Sequence, residues 1–224
     1  LLSKYQRFIK PHNLPLISMG EGNTPLIKAP ELEKITKANV YLKLEGCNPT
    51  GSFKDRGMVV AISGALKDNK EHIICASTGN TSASASAYGA RYGLETLVIV
   101  PEANIAKGKL SQALAYGARI FAIKGNFDDA LELVRQTGQE LDVEIVNSIN
   151  PLRIEGQKTA AFEIIESLGD SPDIVFMPVG NAGNITSYWK GFKEFFNEEK
   201  STKNPKMMGF QAEGASPIVR NKVV

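Results

Sequence analysis

Two histidines, two cysteines and one tryptophan in 224 residues leave little from which to build a metal site or a disulfide framework. Cys47 and Cys75 form no Cys-x-x-Cys pair. With His12 and His72 at their spacings they make no zinc signature, so no metal is expected. So little cysteine fits a reducing compartment, which makes the cytoplasm the expected location. Cys47 precedes Asn48-Pro49 in a loop, and Cys75 lies in the apolar run Ile73-Ile74-Cys75-Ala76 and reads as a buried free thiol. No uncharged apolar run approaches the roughly 18 residues of a membrane span, so no membrane partner is expected. An excess of one charge is missing too. Twenty-six basic against 24 acidic residues leave +2, which excludes a strongly basic nucleic-acid binder and an acidic disordered tail. Neither a GxGxxG run nor a P-loop lysine occurs. The ends also lack signals: Leu1-Leu2 carries no initiator Met or signal-peptide pattern, and Val223-Val224 shows no terminating signal. A piece of a longer natural chain is expected.

What is present is a globular composition. At 42% hydrophobic and 22% charged residues, the chain can bury a sizeable core. Its length suits one large domain or two small ones, at roughly 150 residues each. The middle alternates between short apolar runs and helical stretches. Strands are expected at 73–76, 97–100, 120–123 and 143–146. Helices are expected at 81–92, 107–116 and after Asn126, a good N-cap followed by Asp128 and Asp129. Phe127, Ala130, Leu131, Val134 and Leu141 form that last helix's apolar stripe. The pattern restarts with a helix at 156–168, a strand at 173–179, a helix at 183–196, a polar linker at 197–205 and a strand at 207–212. Residues 1–46 read as an irregular arm plus a strand at 40–44. Alternating strands and helices imply an α/β fold with parallel sheet. One internal echo stands out: 73–80 and 174–181 both run strand, turn, Gly-Asn, helix. Two α/β layers of similar design follow, with ligand sites at the carboxyl ends of their strands.

Four segments carry candidate chemistry. In Pro49-Thr-Gly-Ser-Phe-Lys-Asp-Arg-Gly57, Ser52 and Asp55 have capping-box spacing, which puts Lys54 in the first helical turn. A helix start disfavours an ammonium, and shielding from water would lower the pKa of Lys54 further. Such a lysine forms Schiff bases and acts as a base; the plain alternative is a solvated surface lysine. In Ala76-Ser-Thr-Gly-Asn-Thr-Ser82, small residues lead from a strand into a helix built almost wholly of Ala, Ser and Gly. That arrangement receives a carboxylate, with Asn80 as an amide donor, or is simply a tight turn. Gly180-Asn-Ala-Gly-Asn184 follows a strand and opens a helix. Without Lys or Arg, it would hold a phosphate by backbone N–H groups. Arg153, just past Asn147-Ser148, has the planar fork that suits a phosphate, or pairs with Glu155 or solvent at the surface. A cofactor that carries a phosphate and condenses with lysine is pyridoxal phosphate. The Arg153 region then leaves an anion site over, for a second phosphate on the substrate.

The sequence resembles threonine synthases of the shorter bacterial and archaeal type, in the fold-type II group of pyridoxal-phosphate enzymes. The resemblance rests on Gly20-Glu-Gly-Asn-Thr-Pro-Leu26, Lys43 through Gly57, Ser77-Thr-Gly-Asn-Thr81, Asn147-Ser148, Arg153-Ile-Glu-Gly-Gln-Lys158, Val179-Gly-Asn-Ala-Gly-Asn-Ile185 and Trp189-Lys-Gly191. It implies two open, twisted, mostly parallel sheet domains of the tryptophan synthase β type. The small one would span 48–150, and the large one 1–47 with 151–224, lacking its C-terminal remainder. The cofactor would be pyridoxal 5'-phosphate, carried by Lys54. Asn80 would bond its ring oxygen, and Gly180, Asn181, Ala182, Gly183 and Asn184 would hold its phosphate. Ser77, Thr78 and Gly79 would bind the substrate carboxylate. Thr81, Ser148, Arg153 and Asn181 would hold the substrate phosphate, with Asn147 beside them. The implied reaction is that of a carbon–oxygen lyase acting on phosphates, from O-phospho-L-homoserine and water to L-threonine and phosphate, in a cytoplasmic homodimer. The alternatives are a threonine or serine dehydratase of the same fold, or a non-catalytic phosphate-binding α/β module.

Overall fold

The computed structural model describes residues 1–102 and 107–221. The chain divides into two compact units, Leu1–Gly156 and Gln157–Val224.

In the first unit the arm folds as α1 (Leu2–Tyr5), β1 (Leu26–Lys28), α2 (Pro30–Thr36) and β2 (Tyr41–Lys43). The arm is less irregular than expected. Pro30 opens α2 with its preset φ, and β1 pairs antiparallel with β2, Ile27 opposite Leu42. The lysine-bearing helix α3 (Lys54–Lys67) follows. Then come β3 (His72–Ala76), α4 (Asn80–Tyr92), β4 (Glu95–Pro101), α5 (Lys107–Ala115), β5 (Arg119–Ile123), α6 (Phe127–Glu140), β6 (Val143–Ile145) and α7 (Pro151–Gln157). The four strands from β3 to β6 make one parallel sheet in the order β5-β4-β3-β6. Each strand therefore delivers its carboxyl end to the same edge, and β3 lies inside the sheet.

The two faces of β3 go to different helices. Ile74 and Ala76 pack with Ile99, Ala130 and Val134, so α6 covers that face. Ile73 faces the other way, near Gly89 of α4. Each fully buried Ile or Val here contributes about 1.5–3 kcal/mol relative to exposure. Asn126 caps α6 as expected, its Oδ1 accepting from the N–H groups of Asp128 and Asp129. The stripe is shorter than predicted. Phe127, the first residue of the helix, and Leu141, its C-cap, are 48% and 60% exposed because they lie at its two ends, and the sheet reaches only Ala130, Leu131 and Val134. Helix α4 needs small residues: it packs on α3, α5, β3 and β4, and Ser82, Ser84 and Ser86 are fully buried.

The second unit contains α8 (Thr159–Leu168), β7 (Ile174–Pro178), α9 (Gly183–Asn197), β8 (Lys206–Phe210) and α10 (Pro217–Arg220). The single helix expected over 156–168 is two helices, with α7 beginning at Pro151 rather than Gly156. Strands β7 and β8 pair parallel, Val175 beside Met207. Helix α9 lies on α8, where Phe162 and Phe195 stack at 4.0 Å and Lys158 pairs with Glu194 at 2.8 Å. The outer face of the strand pair carries Phe176 and Phe210, exposed by 64% and 54%. Among the described residues no helix is long and apolar enough to cross a membrane.

Candidate active site

Lys54 is the first residue of α3. Its ammonium sits 4.6 Å from the Phe53 ring, and its backbone N–H donates to Ser52 Oγ at 3.3 Å. Burial pulls its pKa down to about 8, and the nearby Arg153 guanidinium adds to the shift. The expected capping box does not form as drawn. The Asp55 carboxylate turns instead to Thr50, accepting from its N–H at 2.7 Å and its hydroxyl at 2.6 Å, and to the Ser84 hydroxyl at 2.6 Å. Those three neutral donors tie the turn before Lys54 to the middle of α4. Burial still raises the Asp55 pKa, against the pull of these bonds. The next residue, fully buried Arg56, forks onto Glu45 at 2.7 and 2.8 Å, and Thr24 hydroxyl donates to the same carboxylate at 2.7 Å. The start of α3 is thus held from both sides.

A lysine whose ammonium is destabilised by burial holds more free amine at neutral pH. At pH 7 a pKa near 8 leaves about 10% of Lys54 unprotonated, against less than about 0.1% for an ordinary lysine. Brief reductive methylation of the cofactor-free full-length protein, followed by peptide mapping, is expected to label Lys54 first. Its rate should level off above about pH 8, while other lysines continue to gain. Labelling of Lys54 in step with the bulk lysines would contradict the shift.

The other candidates of this unit gather at the carboxyl edge of its sheet. Ser77, Thr78 and Gly79 link β3 to α4, which opens at Asn80 and Thr81, and all five are half-buried. Ser77 Oγ accepts from Gly79 N–H at 3.1 Å, and Ser82 Oγ donates to Gly79 C=O at 2.8 Å. The loop ends at the first N–H groups of α4, which carry the partial positive charge of a helix start. Beside it, β6 runs out into Asn147 and Ser148. Asn147 is buried and its side chain is bonded to Ala76, whereas Ser148 is exposed. Asn150 Oδ1 then caps α7 by accepting from Leu152 N–H at 2.9 Å.

Arg153 is not a surface residue: it is 1% exposed. One nitrogen, Nη1, donates to Val146 C=O at 2.7 Å. Among the described residues, Nε and Nη2 have no partner at all. Burial lowers the pKa to about 10, with the Cys75 thiol and Asp55 carboxylate pulling it back up. At neutral pH a charged fork with two unanswered donors is held inside the protein, a strongly unfavourable state unless an anion answers it. The alternative of a surface arginine paired with Glu155 or solvent is not what the structure has; Glu155 accepts from Lys10 N–H at 2.9 Å.

The remaining candidates lie in the second unit. Gly180, Asn181 and Ala182 connect β7 to the start of α9 at Gly183 and Asn184. Ala182 takes up the left-handed conformation at φ +62°, and Asn181 Oδ1 accepts from Gly183 N–H at 3.2 Å. Asn184 Oδ1 is shielded from solvent without a partner among the described residues. This loop repeats the design of the one after β3: strand, short turn, helix start.

An amine near pKa 8 at a helix start, with anion-receiving loops at strand ends, defines a class of α/β protein suited to an aldehyde cofactor that carries a phosphate. Residues 17–223 match the family described as pyridoxal-phosphate dependent enzyme, and the chain belongs to that family. Its cofactor is pyridoxal 5'-phosphate. The chain is 57% identical over 225 residues to a threonine synthase of Halalkalibacterium halodurans, covering 100% of this chain and 63% of the relative. It is 55% identical to a threonine synthase of a Bacillus species, covering 100% and 64%. The chain therefore spans somewhat under two thirds of these curated relatives' length. Among solved structures, maize serine racemase superposes with a TM-score of 0.78 at 18% identity, over 91% of this chain and 61% of that one, a likeness of fold. That fold is the fold-type II α/β architecture expected from the sequence.

Proposed function

We propose that the full-length protein is a threonine synthase, a carbon–oxygen lyase that converts O-phospho-L-homoserine and water to L-threonine and phosphate. The observation that carries the reading is Arg153: a buried guanidinium with two unpartnered donors, close enough to depress the Lys54 pKa. A cofactor phosphate already has a lysine-free loop of its own at Gly180–Asn184. The arginine therefore calls for a second anion beside the reactive amine, and the phosphorylated substrate supplies it.

Lys54 fits the cofactor aldehyde because its amine is largely desolvated. Asn80 is proposed for the cofactor ring oxygen, and Gly180, Asn181, Ala182, Gly183 and Asn184 for its phosphate. Bound there, pyridoxal phosphate supplies an electron sink next to the substrate's Cα. Lys54 would take and return the Cα proton, a task that suits an amine near pKa 8 at neutral pH. The loop Ser77, Thr78 and Gly79 orients the substrate carboxylate against the start of α4. Thr81, Ser148, Asn181 and Arg153 hold the substrate phosphate. Negative charge on that phosphate grows as the Cγ–O bond breaks, so the Arg153 charge assists departure more than binding. We also propose 48–150 as the small domain and 1–47 with 151–224 as part of the large one; the four-stranded sheet within 72–145 supports the first boundary. A cytoplasmic homodimer acting on a small molecule, rather than on nucleic acid or membrane, completes the proposal. Free thiols at Cys47 and Cys75 support that compartment.

The test uses the full-length holoenzyme with O-phospho-L-homoserine. Threonine and inorganic phosphate are expected in equal amounts. Release of keto acid from threonine or serine, with no turnover of the phosphorylated substrate, would replace this reading by the dehydratase one.

A further inference from the structure

We infer that Asn147 is a positioning residue: its side-chain amide serves as the last rung of the sheet and fixes the backbone from which the carboxylate loop Ser77–Gly79 departs. The inference rests on the threonine synthase reading for what that loop binds.

The ladder between β3 and β6 is regular up to Ile74, which pairs with Ile145, and Val146 N–H then donates to Ile74 C=O at 3.0 Å. After Val146 the chain must turn away, because Asn150 and Pro151 start α7. The backbone of β3 continues to Ala76 and needs partners on that side. Asn147 provides both at once. Its Oδ1 accepts from Ala76 N–H at 2.9 Å, and its Nδ2 donates to Ala76 C=O at 2.9 Å. An amide side chain has one acceptor and one donor edge, so it reproduces a peptide group's rung in a way that Asp, Ser or Leu cannot. The group is 5% exposed, so water does not compete for either atom. On its other flank, Ala76 is followed by Ser77, whose N–H donates to Ile99 C=O at 3.3 Å. The loop therefore leaves the sheet from a point held by β4 on one side and by Asn147 on the other. These two bonds fix the plane of the amide against Ala76, and its influence reaches the site through the loop.

The clamp is tested on the full-length holoenzyme with Asn147→Asp and Asn147→Ala. Asn147→Asp keeps the side chain's size but sets a carboxylate oxygen against Ala76 C=O. Asn147→Ala removes both bonds and guards against an artefact of the new charge. Three quantities are read for each: hydrogen exchange at the Ala76 and Ser77 amides, affinity for L-threonine, and affinity for inorganic phosphate. Exchange at both amides is expected to rise at least about tenfold. Threonine, which has the carboxylate but no phosphate, should bind at least about tenfold more weakly, while phosphate changes by less than about twofold. An unchanged Ala76 amide overturns the clamp. Phosphate affinity falling as far as threonine affinity, or further, makes Asn147 a phosphate ligand and overturns the assignment. If the unsubstituted holoenzyme binds neither probe, the threonine synthase reading fails instead, and exchange at Ala76 alone decides the clamp.

Discussion

Replacing Arg153 by alanine is expected to lower kcat/KM for O-phospho-L-homoserine by about a thousandfold or more while leaving cofactor loading and folding nearly intact. Removing one preorganised donor from a developing oxyanion costs about 10²–10³ in rate, and Arg153 offers two donors, Nε and Nη2, that have no other use among the described residues. The stability change should be small because two effects oppose. The variant leaves Val146 C=O without the Nη1 donor, a loss of about 1–3 kcal/mol. It also relieves the desolvation of a guanidinium that is 1% exposed, a penalty of several kcal/mol for a buried ion. Arg153→Lys separates charge from shape: it restores a cation but not the fork, and recovery should be partial. The checks are steady-state kinetics, the visible absorbance of bound cofactor, and a thermal melt. Loss of the absorbance band together with activity would mean that Arg153 answers the cofactor's phosphate and not the substrate's.

Much of this site is legible along the chain, because it is made of local signals. A helix start at Lys54, small residues after β3 and a Gly-rich turn after β7 are features of adjacent residues, and each lies where its segment predicts. The capping of α6 by Asn126 is equally local. What the chain conceals depends on contacts across long separations. Nothing near Asp55 indicates that it will abandon a cap for Ser84, 29 residues away. Nothing near Arg153 distinguishes a buried guanidinium from a surface one, since the groups whose charges it feels, Cys75, Asp55 and Lys54, come from distant parts of the chain. Asn147 looks like a polar loop residue, yet its partner is Ala76, 71 residues earlier. The start of α7 is different in kind. Asn150-Pro151 is a legible N-cap and first-turn proline, five residues ahead of the start expected at 156.

Gly156 has another purpose, and Gly156→Ala is expected to be the most destabilising single-methyl change in the first unit's lysine-bearing region. Helix propensity alone predicts the opposite, since alanine in a helix gains about 0.8–1.0 kcal/mol over glycine. The surroundings decide the sign. A Cβ at 156 would lie 1.8 Å from Arg56 O, 2.6 Å from Arg56 C and 2.8 Å from Gly57 Cα. All three are backbone atoms of α3, so no side chain can swing aside. Relief requires α7 and α3 to part by more than about 1 Å, beyond the gap at which packed atoms forfeit much of their attraction. Overpacking of this kind costs about 1–3 kcal/mol and sometimes more, which outweighs the propensity gain. At about 2–4 °C per kcal/mol for a chain of this size, the melting temperature should fall by several degrees. Gly108→Ala in α5 is the control, because a Cβ there meets nothing within 4 Å and propensity should win. The functional consequence follows from which helices move. α3 carries Lys54 and α7 carries Arg153, so prying them apart separates the amine from the cation that helps depress its pKa. In whatever fraction of Gly156→Ala folds, the Lys54 labelling profile should therefore shift to higher pH and phosphate affinity should fall together. A variant that loses stability but keeps both would show that the close approach serves packing alone.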